Sequence, residues 1–326
     1  MDTKMIDHWA DQMVKPIKKS HSMGRLGHAL LLYNHQNLPI EPILQRLMVI
    51  LKLDNALDLT KIERFTQHPD VLNVLPHKNL IQRQTVAAVI QQLQLKPHYT
   101  NGNRLIVIQP ADQMTIAASN LLLKTLEAPQ PNTFFVLIAT NSASLLPTIK
   151  SRTWQMTISA PLSMVAAMLE QHEGISNDQA EKYTQMAYGD WSLACELSED
   201  EQIRAVREAL HQLLNGQYDV VEFVQNNHVY ATKLLQWLSS FLSDVYLQQL
   251  GGQAQSNQDC PNVRQHYATT IAPELIAHWY QVSIHKLKQL LQQSVNINIE
   301  LLLQTVLSAI QQRKKIYANN TAKTTT

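Results

Sequence analysis

Cysteine is scarce in this sequence of 326 residues: there are two, Cys195 and Cys260, which stand far apart and form no CxxC pair. Disulfide-stapled secreted domains and cysteine-ligated zinc modules need more cysteines at closer spacing. The 13 histidines are scattered, and none falls in an HExxH-like spacing. The sequence therefore predicts neither a disulfide framework nor a metal site.

Long apolar runs and an excess of one charge are also missing. No apolar run reaches the ~18 residues of a membrane span, and the start of the sequence lacks the apolar stretch of a signal peptide. Lysine plus arginine number 27 against 26 acidic residues, which excludes binding to nucleic acid through a global positive charge. We expect a cytoplasmic protein that contacts no membrane and meets DNA only locally or through partners.

The first half of the chain alternates short β-like runs with helical stretches, a pattern typical of a parallel sheet wrapped by helices. The runs are residues 29–33, 71–75, 105–108, 134–140 and 154–158. They are mostly apolar, as expected of strands that are covered on both faces, so we expect all of them to be central strands. After Pro161 the β-like runs cease, and the pattern is helical to the end.

A helix is predicted between two of these runs. Thr115 is a favourable N-cap for a helix over residues 116–127, and Pro129 cannot continue it. Its residues are apolar nearly all round, which predicts a helix buried between layers. Lys124 and Glu127, three residues apart near its end, are most simply a surface ion pair, and a role facing a partner or DNA stays open for both.

The helical half has its own start signals. Ser176 and Gln179 have the spacing of a capping box, and Asn298 is placed to cap a last helix that buries Ile299. The β-like runs end near residue 160, and the predicted helices lengthen from about residue 208. The chain is thus divided into three predicted domains: an α/β domain over 1–160, a small helical domain over 161–207 and a domain of longer helices over 208–326.

Two motifs resemble the signature stretch of clamp-loader subunits of the AAA+ family. Residues 121–127 read LLLKTLE and are followed by Pro129, and residues 145–152 read LLPTIKSR. The usual family pattern is LLKTLEEP and then SRC, so Ala128 and Thr153 are departures from it, whereas Ser151 and Arg152 match. Shorter similarities at 27–32, 68–70 and 297–302 extend the resemblance over nearly the whole chain.

The resemblance implies a fold and partners. The fold is an AAA+ (P-loop NTPase-like) α/β domain over 1–160, an all-α lid over 161–207, and an all-α collar over 208–326 through which five subunits form a ring. The implied partners are ATPase subunits of the gamma/tau type and a delta subunit through the collar, and the sliding clamp and primer-template DNA through the complex.

The loop that matches the P-loop has lost the chemistry of nucleotide binding. A working P-loop needs glycines for close approach of backbone N–H groups to phosphate, a lysine, and a hydroxyl for magnesium. The matching residues run from Asn34 to Glu41, with Ile40 in place of the lysine and Glu41 in place of the hydroxyl. Pro39 also removes an N–H donor. This loop should repel a triphosphate.

Two further positions agree with that loss. The run 105–108, at the position of the strand that should end in Asp-Glu, leads instead into Pro110 and Ala111, and the lid arginine of ATPase members is replaced by Ser192. Three losses together indicate the non-ATPase member of the family, with no cofactor of its own and with ATP and Mg²⁺ held by neighbouring subunits. Many relatives carry a cysteine-bound zinc module that residues 51–67 lack, so no zinc is expected.

The Ser151–Arg152 pair is kept despite these losses. The resemblance implies that Arg152 acts in trans as an arginine finger on the γ-phosphate held by a neighbouring ATPase subunit; a guanidinium is always charged and offers a fork of donors to phosphate. Without the two motifs, Arg152 would be interpreted as a solvated surface arginine. The alternatives are an active clamp-loader ATPase and, from another class, a helical DNA-binding or scaffold protein.

Overall fold

The computed structural model describes residues 4–53, 68–77, 80–95, 97–98, 102–252, 257, 260–291 and 298–323. The chain forms two compact units, Met1–Gln171 with Asp190–Ser192 and His172–Gly189 with Leu193–Thr326. The division into three domains at 160 and 207 stays a prediction.

A five-stranded parallel sheet forms the first unit. Its strands are β1 (Ala29–Tyr33), β2 (Val71–Val74), β3 (Arg104–Ile108), β4 (Thr133–Ala139) and β5 (Trp154–Thr157), in the order β2-β3-β4-β1-β5. This confirms the predicted parallel sheet. The prediction that all five are central was wrong for β2 and β5, which form the edges, and β5 accordingly alternates between half-buried and exposed residues.

Helices cover both faces of the sheet. They are α1 (Lys4–Ser22), α2 (Glu41–Ile50), α3 (Arg83–Leu93), α4 (Ile116–Glu127), α5 (Pro147–Lys150) and α6 (Leu162–Glu173). Side chains of β1 alternate between two apolar cores: Leu30 and Leu32 lie in the core that includes α1 and α2, whereas Ala29 and Leu31 lie in the core that includes α3 and α4. Successive residues of a strand point to opposite faces, which explains why the strand is apolar at every position.

Helix α4 begins and ends where the sequence predicted. Thr115 caps it, with its Oγ1 accepting a hydrogen bond from the backbone N of Ala118 at 3.2 Å. The prediction that it is buried between layers was wrong, because one stripe, including Leu122 and Leu126, packs into the core while Ile116 is 70% exposed. The helix lies on one face of the sheet, so a single stripe suffices to anchor it.

In the second unit, the described residues form helices and no strand. These helices are α7 (Asn177–Met186), α8 (Trp191–Glu199, whose first two residues belong to the first unit), α9 (Glu201–Asn215), α10 (Val220–Asn227), α11 (Ala231–Gln249), α12 (Pro261–Thr270), α13 (Pro273–Leu291) and α14 (Ile299–Lys323). The predicted capping box at Ser176 is present, and Asn298 accepts from the backbone N of Leu301 at 3.0 Å. Ile299, predicted to be buried, is 39% exposed. Along the described part of the chain, each helix is too short or too polar to cross a bilayer.

Candidate functional site: a closed loop and a surface arginine

The closed loop, residues 34–40 between β1 and α2, lies at the position that a P-loop takes in a strand–loop–helix unit. Its first residue, Asn34, is buried, and its side chain spans the inside of the loop. The Asn34 Nδ2 donates to the carbonyl oxygen of Leu38 at 2.8 Å, and the backbone N of Leu38 donates to Asn34 Oδ1 at 2.9 Å. One asparagine side chain thus satisfies both backbone groups of Leu38, which is itself buried.

Two further backbone donors of this loop are occupied. The N–H of Asn34 donates to the carbonyl of Ala139 at 2.8 Å, and the N–H of Asn37 donates to the carbonyl of Asn34 at 3.2 Å. Pro39 has no N–H. Phosphate binding in such loops depends on free backbone N–H groups that point at the ligand. The donors at these positions are therefore either absent or already bonded within the chain.

Charge at the start of α2 disfavours an anion as well. Ile40, at the position of the P-loop lysine, packs its side chain into the core beside α2. Glu41 is exposed at the first position of the helix, where the positive end of the helix dipole would otherwise attract a phosphate. The carboxylate of Glu41 already occupies that field with a negative charge.

Contacts with two other segments of the first unit fix the loop in place. The Gln36 side chain donates to the carbonyl of Ala160 at 3.0 Å and accepts from its N–H at 2.8 Å. The Gln36 carbonyl accepts from the backbone N of Trp191 at 2.7 Å, and Asn37 Nδ2 donates to Asp190 Oδ2 at 2.6 Å. Asn37 has a φ of 48°, a left-handed conformation that asparagine tolerates better than most residues. The loop conformation is thus held from both sides.

The end of β3 contributes no free carboxylate to this region. Pro110 is half-buried and Ala111 is buried. The next residue, Asp112, is tied to the end of β4: it accepts hydrogen bonds from Thr140 N at 3.1 Å, Thr140 Oγ1 at 2.9 Å and Asn141 N at 3.3 Å. Sequence reasoning missed Asp112; the signal was an acidic residue in the short 3₁₀ turn Ala111–Gln113 directly after the strand.

Arg152 lies at the surface in the turn between α5 and β5. Its Nε donates to Glu127 Oε1 at 2.9 Å, and its Nη2 donates to the same oxygen. Its Nη1 donates to the carbonyl of Thr148 at 3.0 Å and to Ser151 Oγ at 3.3 Å. The sequence predicted Lys124 as the ionic partner of Glu127, but the structure pairs Glu127 with Arg152. The two signature motifs therefore meet in this ion pair.

Two other predicted site residues are exposed. Lys124 lies one turn before Glu127 on α4, and Ser192 lies in the first turn of α8. Ser192 carries no positive charge to aim at a phosphate. The interface or DNA-facing role of Lys124 stays a prediction.

Among the described residues, one group has ligand atoms close enough to suggest a metal site. His172, Glu173 and Cys195 have side-chain ligand atoms within 4.8 Å of one another. His172 Nδ1 and Glu173 Oε1 form a hydrogen bond with each other at 2.6 Å. The absence of a metal site stays a prediction, and residues 54–67, most of the segment for which no zinc was predicted, lie outside the described residues.

Comparison with protein families gives two matches on this chain. A family described as "DNA polymerase III, delta subunit" matches residues 9–161, which contain the sheet, the closed loop and Arg152. A family described as "DNA polymerase III, delta subunit, C terminal" matches residues 200–312.

Curated relatives cover most of the chain. The DNA polymerase III subunit delta' of Yersinia pestis is 30% identical over 330 residues, covering 90% of this chain and 92% of its own. The subunit delta' of Haemophilus influenzae is 28% identical over 72% of this chain and 76% of its own. Among solved structures, a DNA polymerase III gamma subunit-related protein of Thermotoga maritima is 18% identical, covers 93% of this chain and 99% of its own, and has a TM-score of 0.46.

The parallel sheet with its loop after β1, the joined signature motifs and the helical second unit define a clamp-loader subunit with an AAA+ fold. More narrowly, the chain belongs to the delta-prime family of DNA polymerase III subunits, whose role lies in DNA replication.

Proposed function

We propose that this chain is the non-ATPase, stator subunit of its clamp loader and contributes to ATP-dependent loading of the sliding clamp onto primed DNA. The observation that supports the proposal most is the internal satisfaction of the loop after β1. The Asn34 side chain binds both backbone groups of Leu38, at 2.8 and 2.9 Å. A triphosphate would have to break these bonds to reach the N–H of Leu38.

The cost of opening the loop is not offset by attraction. Leaving a buried polar group without a partner costs about 1–3 kcal/mol. Neither a lysine nor a magnesium-binding hydroxyl is available to compensate, since Ile40 and Glu41 hold those positions. ATP and Mg²⁺ therefore belong to the neighbouring subunits in this proposal, and the chain itself binds no cofactor.

Arg152 is proposed to act in trans on the γ-phosphate of ATP in a neighbouring subunit. Its side chain is about one third exposed, and its partner Glu127 is about half exposed, so a phosphate from another chain can reach the guanidinium. Arginine fingers contribute roughly 10³- to 10⁵-fold to rate in other phosphoryl-transfer systems. A smaller effect is expected here, because the same contact also couples ring closure to ATP binding.

The partners follow from this role. ATPase subunits of the gamma/tau type and a delta subunit would contact the collar over 208–326, and the sliding clamp and primer-template DNA would be met through the assembled complex. The competing function is an active gamma/tau-like ATPase, against which Pro39, Ile40 and Glu41 count. Saturable ATP binding by the isolated chain would favour that alternative.

Reconstitution of the clamp loader tests the role of Arg152. In a complex that carries Arg152→Ala, DNA-stimulated ATP hydrolysis and clamp loading should fall at least about tenfold, while assembly of the complex is unchanged. Arg83→Ala is a matched control, because Arg83 is also an exposed arginine of the first unit and lies at the first residue of α3. Equal activity of the two variants would remove Arg152 from the mechanism.

A further inference from the structure

The ion pair between Arg152 and Glu127 carries an inference beyond the identity of the arginine finger. We propose that Glu127 is a positioning residue: its carboxylate orients the guanidinium of Arg152 before a neighbouring nucleotide arrives. The inference rests on the proposed trans role of Arg152.

Counting the donors of the guanidinium gives the geometric argument. A guanidinium has five N–H groups in a fixed fork. The Nε–H and one Nη2–H go to Glu127 Oε1, and the two contacts of Nη1 go to the carbonyl of Thr148 and to Ser151 Oγ. One N–H, on Nη2, is left over by this count. The side chain is thus fixed in direction and still offers a donor to an incoming phosphate.

The pair is poorly placed to serve stability alone. Its side chains are 34% and 53% exposed, and exposed ion pairs contribute little to folding. Glu127 is also the last residue of α4, where the negative end of the helix dipole disfavours a carboxylate. Lys124, one turn earlier, carries the charge that suits a helix C-terminus. The ion pair with Arg152 therefore explains a glutamate at this position better than the stability of helix α4 does.

Pre-orientation has a kinetic consequence. Arginine has a long, flexible side chain, and fixing it before contact lowers the entropy lost when it meets the phosphate. Small misplacements of a group that stabilises a transition state cost large factors in rate. Loss of the Glu127 carboxylate should therefore lower the rate of hydrolysis in the neighbouring subunit, although Glu127 itself touches no nucleotide.

The test compares variants of Glu127 in the fully reconstituted clamp loader. Glu127→Ala should lower DNA-stimulated kcat about tenfold, and Glu127→Gln, which keeps an acceptor oxygen for Nε, should restore it to within about threefold of the unchanged complex. Glu199→Ala is the matched control, since Glu199 is an exposed glutamate at the last residue of α8. It should leave kcat unchanged.

A double variant separates positioning from other effects. In the Arg152→Ala background, adding Glu127→Ala should cause no further loss, because the residue acts through the arginine. A full additional loss in that background, an unchanged kcat in Glu127→Ala alone, or an equal loss in the Gln and Ala variants would each overturn the positioning role. If instead Arg152→Ala alone leaves activity intact, the trans function itself is wrong.

Discussion

Replacing Asn34 with alanine should loosen the closed loop by an amount that the structure allows us to estimate. The substitution removes two hydrogen bonds, to the carbonyl and to the N–H of Leu38. Both Asn34 and Leu38 are buried, so each backbone group loses its partner at a cost of about 1–3 kcal/mol. Because water can reach part of the space left behind, we expect a total of about 2–4 kcal/mol in the free energy of local opening.

Hydrogen exchange of the segment 34–44 measures this opening directly. A loss of about 2–4 kcal/mol corresponds to exchange roughly 30- to 1000-fold faster at the protected amides. Asn120→Ala serves as the control, because Asn120 is exposed on α4 and its loss should leave the loop unchanged. Exchange in Asn34→Ala within about twofold of the unchanged chain would refute the view that this side chain holds the loop closed.

Two further predictions concern the second unit and the α1–α2 contact. Burial raises the pKa of Tyr267, whose hydroxyl donates to the carbonyl of Leu214 at 3.0 Å, so the folded state keeps a proton that the unfolded state loses above pH 10. Thermal stability should therefore fall as the pH rises past 10. Tyr267→Phe should weaken that fall, and it should lower the free energy of unfolding by about 1 kcal/mol at neutral pH. Arg46 of α2 binds Asp11 at 2.6 Å and Asp7 at 2.9 Å; Arg46→Met should lower the free energy of unfolding by about 1 kcal/mol in low salt and by less in 1 M salt, measured by urea denaturation.

Much of the fold was predictable because local patterns report burial. The residues of β1 are apolar at every position since Leu30 and Leu31 enter different cores, and such a run identifies a strand covered on both faces. Strand order is a different matter, but the run Trp154–Thr157 alternates apolar and polar residues. That alternation is typical of a strand with one exposed face, and the prediction of a central strand overlooked it. The exposed Ile116 on α4 was missed for another reason: composition alone does not say which side of an apolar helix the sheet covers.

At the candidate site, too, some features could be predicted from the sequence and others could not. Ile40 and Glu41 could be interpreted from the sequence because a lost lysine or hydroxyl is visible at its own position. The hydrogen bonds between Asn34 and Leu38, and those that Asp112 accepts at the end of β4, depend on where the folded backbone places carbonyl and N–H groups. Glu127 and Arg152 are 25 positions apart in the sequence. A sequence reveals ion pairs between residues three or four apart on one helix, so the prediction paired Glu127 with Lys124 instead.

Equilibrium binding of ATP with Mg²⁺ to the isolated chain tests the central claim most directly. The backbone N–H groups of Asn34, Asn37 and Leu38 donate within the chain, and Glu41 places a carboxylate at the helix start. We therefore predict no saturable binding up to about 1 mM ATP, a limit of roughly −4 kcal/mol in binding free energy. Saturable binding with a Kd below about 1 μM, or about −8 kcal/mol, abolished by mutation within residues 34–41, would contradict the account.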